Sequence, residues 1–138
     1  MINSFHMITI EERKFPTLLF ISISFFIGNY LYKSSIVNLL ALFFIGYGLS
    51  LVFTSLFLYL KLKISLHTLA ISGLIGFLFY FSYFYKINLI PFMALLFVLS
   101  GFVASARLRL HAHTLNEVIL GCVVGLASQF IVYIIYMM

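Results

Sequence analysis

Long apolar runs separated by short polar breaks dominate the chain. Five of them reach or approach the length needed to cross a hydrocarbon core of roughly 30 Å: 15–32, 35–60, 64–85, 88–110 and 114–138. Each predicts a membrane-spanning α-helix. The first is the most interrupted, by Ser22, Ser24, Gly28 and Asn29. With no small-residue cleavage site and a long polar lead holding Glu11 and Glu12, that first run does not read as a removable signal peptide, and residues 1–14, with His6, predict an interfacial or frayed tail. Tyr30, Tyr32, Tyr80, Tyr83 and Tyr85 fall near predicted helix ends, as an aromatic belt at a membrane surface would. No internal repeat or linker divides the pattern. It predicts an all-α, polytopic integral membrane bundle: a tail over 1–14, then one transmembrane domain over 15–138.

Small residues predict where these helices touch. Gly121 and Gly125 form a G-x-x-x-G in the last run, Gly73 and Gly76 recur in the third, and Ser100, Gly101 and Ala104 line the end of the fourth. All three runs also carry or border the polar motifs described below. Close packing there would gather those motifs.

Composition removes several alternatives. With 64% hydrophobic and 8% charged residues, the chain is not a soluble globular domain. A lone cysteine, Cys122, excludes a disulfide framework or a cysteine-based zinc site, and reads as a small packing residue. The net charge is +5, but the eight Lys and Arg are scattered through the loops, so there is no basic tract for nucleic acid. These cations read as membrane-edge residues and phosphate ligands.

Ionisable groups at a membrane edge are costly and mark candidate sites. The stretch from Ser105 to Glu117 holds Arg107, His113 and Glu117. His113 and Glu117 are four residues apart, which stacks them on one helical face and lets the carboxylate orient the imidazole. A turn can bring Arg107 back over that face. In the break before the third run, Lys63, Ser65 and His67 alternate, so an extended approach to the helix would align them. With five spans, the breaks before the third and fifth runs emerge on the same side of the membrane. The two groups are therefore expected to be co-facial. Cations, imidazoles and one carboxylate suit phosphate chemistry.

Plainer readings stand beside this one. His113 and Glu117 can be a structural pair at a helix start, and Lys63 can simply snorkel to the membrane surface. Arg109 and His111 read as loop or headgroup contacts. A zinc site from His67, His111 and His113 is disfavoured, because only Glu117 supplies a nearby carboxylate and Arg107 would repel the cation.

Taken together, these residues resemble the type 2 phosphatidic acid phosphatases (PAP2), which share a fold with bacterial acid phosphatases and vanadium haloperoxidases. Ser65-Leu-His67 is similar to the family's Ser-Gly-His. Ser105-Ala-Arg107, then His113, then Glu117, is similar to its Ser-Arg, His and Asp, and Val118 to Gly125 to its Gly-spaced following helix. The resemblance covers about residues 61–126. Glu117 stands where the family has Asp; Ile64 and Leu66 replace a proline and a glycine; no Arg-Pro occurs; and five spans are visible where membrane members usually have six.

The resemblance implies a lipid phosphate phosphatase of a bacterial cytoplasmic membrane, acting at the periplasmic face without a metal or other cofactor. His113 would be the nucleophile, Glu117 its orienting carboxylate and His67 the general acid. Arg107, Lys63 and Ser65 would hold the phosphate. The alternative is a catalytically weakened relative that binds lipid phosphates or packs as a small membrane subunit. The oligomeric state is left open.

Overall fold

The computed structural model describes residues 10–34 and 38–138. Helices form where the apolar runs lie: α1 (Ile10–Ser34), α2 (Asn38–Tyr59), α3 (Leu66–Tyr85), α4 (Ile90–Arg109) and α5 (Leu115–Met137). All five are long and apolar enough to cross a membrane, and no strand occurs among the described residues. The chain is an all-α, polytopic integral membrane bundle.

Helix α1 begins at Ile10, inside the stretch expected to be a tail. Glu11 and Glu12 sit in its first turn, where acidic side chains complement the positive end of the helix dipole. Lys14 adds a 2.7 Å bond to Glu11, which holds that turn closed. Residues 1–9, with His6, lie outside the described residues, as does the expected start of the second span at Ser35. Helix α3 begins two residues later than its apolar run, because Ile64 precedes the helix and Ser65 is its extended N-cap.

The helices alternate in direction, so the N-terminal ends of α1, α3 and α5 share one membrane face with the C-terminal ends of α2 and α4. In space α5 inserts between α2 and α3, and the backbone of α1 packs on α2 alone among the described helices. The tightest seam joins α5 to α3. A Cβ on Gly121 would meet the Ser65 carbonyl at 2.6 Å and crowd Thr68, and one on Gly125 would run into Ser72 and the Leu69 carbonyl. Only glycine lets these backbones close. Across that seam Thr68 Oγ1 donates to the Val118 carbonyl at 3.2 Å and Ser72 Oγ to that of Gly121 at 3.4 Å. Gln129 Nε2 ties α5 to α2 through the Phe43 carbonyl, and the Tyr47 hydroxyl ties α2 to α3 through that of Ala70. Interhelical bonds of this kind are worth about 0.6 kcal/mol each in a bilayer, so packing carries most of the association.

Two expectations fail here. Helix α4 has no buried residue, and Gly101 faces open space, so that glycine makes no close helix contact, while Ser100 and Ala104 are half-buried. Tyr80 is not in an aromatic belt: it is buried and stacks on Tyr133 at 4.0 Å between ring centres. Tyr30, Tyr32, Tyr83 and Tyr85 are exposed near the face opposite the polar motifs.

Candidate functional site

Helix α4 ends in a turn closed by backbone bonds from His111 to Leu108 and from Ala112 to Arg107. His111 takes a positive φ of 49°, which reverses the chain and returns His113 toward Arg107. Thr114 then caps α5. Its side chain accepts from the Glu117 backbone N–H at 3.4 Å, while Glu117 Oε2 accepts from the Thr114 N–H at 3.2 Å, a closed capping box. The same Oε2 accepts from His113 Nδ1 at 2.8 Å. One carboxylate oxygen therefore both starts the helix and orients the imidazole. The extra methylene of glutamate fits this double task, since the box draws on a long acidic side chain at its third position.

His113 is enclosed, its side chain only 5% exposed. A proton on Nδ1 directed at Glu117 leaves the Nε2 lone pair available. Burial holds the His113 pKa below the ordinary histidine value, more strongly than the Glu117 bond raises it. Arg13 and Arg107 push in the same direction as burial.

Helix α3 is docked against this turn by the Ser65 N–H, which donates to the Glu117 carbonyl at 3.2 Å. His67, in the first turn of α3, lies on the open face and meets Arg107, whose Nη2 is 2.5 Å from His67 Nε2. Guanidinium is donor-only, so His67 must accept through Nε2 and is neutral in this arrangement. His67 and His113 also lie within electrostatic reach of one another.

The two polar groups thus meet at one membrane face, but not as a simple alternation. Ser65 is fully enclosed, with its hydroxyl unpartnered, while His67 is exposed. Period-2 alignment ends at the N-cap, because from Leu66 onward the backbone is helical. Ser65 contributes its backbone to docking α3 on α5, and its hydroxyl does not share the open face with His67. Lys63 is half-buried in the loop before the cap. Arg109 and His111 are exposed. Among the described residues, no three His, Cys, Asp or Glu side chains gather as metal ligands, so His67, His111 and His113 do not converge.

One participant was not expected. Arg13, on the first turns of α1, lies within electrostatic reach of Glu117, Arg107, His67 and His113. No spacing in the sequence connects it with residues nearly a hundred positions away; only the return of α2 along α1 brings it there. The cluster is thus two guanidiniums, two imidazoles and one carboxylate at the end of an apolar bundle, which suits a phosphate or similar anion. No family model matches the chain, and no curated protein or solved structure is similar to it.

Proposed function

We propose that the protein is a membrane-embedded phosphatase of the PAP2 kind, hydrolysing a lipid phosphomonoester or pyrophosphate through a phosphohistidine. The observation that carries this reading is the 2.8 Å bond from His113 Nδ1 to Glu117 Oε2 beside Arg107 and His67. It leaves an oriented imidazole nitrogen next to cations. In the first step the His113 Nε2 lone pair attacks phosphorus and the P–O bond to the lipid breaks. His67 gives its proton to the departing alkoxide. Glu117 stabilises the positive charge on the His113 ring, and Arg107 and Lys63 neutralise the phosphoryl oxygens. In the second step His67 takes a proton from water, the hydroxide attacks phosphorus, and the P–N electron pair returns to His113. For His67 to act as the acid, the phosphate must first replace it as the acceptor of Arg107. The dianion also favours proton uptake at the freed Nε2.

The membrane assigned by this reading is a bacterial cytoplasmic membrane, with the site at its periplasmic face. A second reading has its own support. Arg107 already occupies His67 Nε2, and Glu117 has a structural task in the capping box. Both suit a protein that binds lipid phosphates without turning them over.

Phosphate release by purified protein from phosphatidic acid or polyprenyl phosphates separates the two. Turnover that survives EDTA and is blocked by vanadate, a mimic of pentacoordinate phosphorus, supports the phosphatase. Binding without release supports the second reading, and turnover abolished by EDTA and restored by zinc overturns the phosphohistidine scheme.

A further inference from the structure

Helices α2 and α4 leave the site face through the same chain reversal. In α2 the Leu62 N–H donates to the Phe57 carbonyl at 2.9 Å and the Lys61 N–H to that of Leu58 at 3.0 Å. In α4 the Ala112 N–H donates to the Arg107 carbonyl at 3.2 Å and the His111 N–H to that of Leu108 at 3.1 Å. Each pair satisfies carbonyls that a helix end otherwise leaves open. The residue that turns the chain is left-handed in both, Lys61 with φ 61° and His111 with φ 49°. Glycine fits such a position best, so neither side chain is there for the turn.

Both ends set a free cation among bare leucines. Lys61 and Arg109 are exposed and bond to no described residue. Leu60 and Leu62 enclose Lys61, and Leu110 follows Arg109; Leu60 is 70% and Leu110 65% exposed. Leucines left bare at the end of a membrane helix are covered by the acyl boundary. That depth puts the neighbouring ammonium and guanidinium at headgroup level, which their long stems reach by snorkelling. Helices α2 and α4 do not touch each other, and both pack on the α3–α5 pair. The two cations therefore flank the helix ends that carry His67, His113 and Glu117.

We infer that Lys61 and Arg109 form a rim that holds anionic phospholipid headgroups on two sides of the site. The partner is a lipid rather than a soluble anion, because the ends that carry the charge also carry leucines suited to acyl chains. It is an anionic lipid, because a zwitterionic headgroup brings its own ammonium, whereas a net negative headgroup is drawn to each cation. These lipids sit beside the polar cluster, not in it, so the inference does not depend on turnover there.

The chain contains no tryptophan, so one introduced by substitution reports its own surroundings. Leu62→Trp and Leu110→Trp, each in the full-length protein, are reconstituted in bilayers of phosphatidylcholine and phosphatidylglycerol with one lipid or the other brominated. Quenching of the emission then gives the relative affinity of the two lipids at each place. A cation at the membrane surface corresponds to roughly fivefold in affinity. Phosphatidylglycerol should bind more tightly than phosphatidylcholine by that factor at both reporters in low salt, and by less in high salt. Adding Lys61→Gln to the first reporter, or Arg109→Gln to the second, should abolish the difference, and Lys61→Arg should keep it. Should Lys61→Gln disturb the turn, Lys61→Gly decides instead, since glycine suits the left-handed position and carries no charge. Equal affinities at the two reporters, or a difference that survives removal of the cation, would overturn the inference. An emission that ignores lipid identity and responds to inorganic phosphate would also overturn it, assigning the rim to a soluble anion. Each of these outcomes leaves the proposed function to its own measurement of phosphate release.

Discussion

His113 and His67 occupy different surroundings, and those surroundings predict different failures. His113 is enclosed and bonded to Glu117; His67 is exposed and meets Arg107. If His113 is the nucleophile, His113→Ala should abolish phosphate release whatever the leaving group. If His67 is the acid, His67→Ala should lower kcat/KM for release of an alkyl alcohol by about 10²–10⁴-fold, yet lower it far less for release of a phenolate, which leaves unaided. The comparison is made in kcat/KM because that ratio excludes the later water attack, which both substrates share. Equal losses on both substrates would remove His67 from the donor role, and rescue of His113→Ala by the aryl substrate would exchange the two. The aryl substrate also isolates the titration of His113. Burial depresses its pKa, so in the window between its folded and ordinary values the unfolded chain binds the extra proton and the folded one does not. This contribution to stability is fully present above about pH 6.5 and is lost as pH falls through the folded value. The neutral nucleophile survives over the same range. The acid limb of kcat/KM on the aryl substrate should therefore lie below the usual histidine value; a limb above it would contradict the burial argument.

At the scale of helices, the seam between α3 and α5 holds the site together and α4 does not. Gly121 lies one turn beyond Glu117, directly against the Ser65 carbonyl. Gly121→Val must push the two backbones apart, which costs about 1–3 kcal/mol or more and loosens the bond from Ser65 to Glu117. A lowered melting temperature together with lost phosphate release is expected. Gly101→Ala, which meets open space, should stay within about 0.5 kcal/mol of the original. A destabilisation by Gly101→Ala as large as that of Gly121→Val would mean that α4 is covered by something beyond the described chain. The sequence distinguished these cases poorly. Gly121, Gly125, Gly73, Gly76 and Gly101 all sit in apolar runs, and lipid-facing and helix-facing positions look alike when both surroundings are hydrocarbon. The helices themselves were legible because a membrane imposes length and continuity; their true ends were not, because the charged Glu11 and Glu12 lie inside the first turn of α1, while the apolar, buried Ile64 lies ahead of the Ser65 N-cap of α3.

Across the whole molecule, alternation of five spans was enough to place Lys63, His67, Arg107, His113 and Glu117 on one face, since that follows from counting crossings. Arg13 escaped because its part in the site depends on how α1 lies on α2, which no local spacing encodes. It also alters the topology argument. The site face carries Arg13, Lys14, Lys61, Lys63, Arg107 and Arg109, against Lys33 and Lys86 opposite, which by the positive-inside rule would be cytoplasmic. On the proposed function, cations of the site are void as topology signals; setting aside Arg13, Lys63 and Arg107 leaves three against two, too even to fix orientation. A periplasmic site is then the expectation from function, and it can be measured. With Cys122 replaced by alanine, single cysteines at Leu62 and Ile87, 47% and 49% exposed, report the two faces. An impermeant maleimide added to intact cells should label residue 62 and spare residue 87. The opposite pattern would put the site in the cytoplasm, facing lipid phosphates of the inner leaflet, while leaving the chemistry intact. Labelling of both from outside would be more serious, because Leu62 and Ile87 flank the two ends of α3, and a bundle in which α3 does not cross the membrane cannot bring His67 to Arg107 as described.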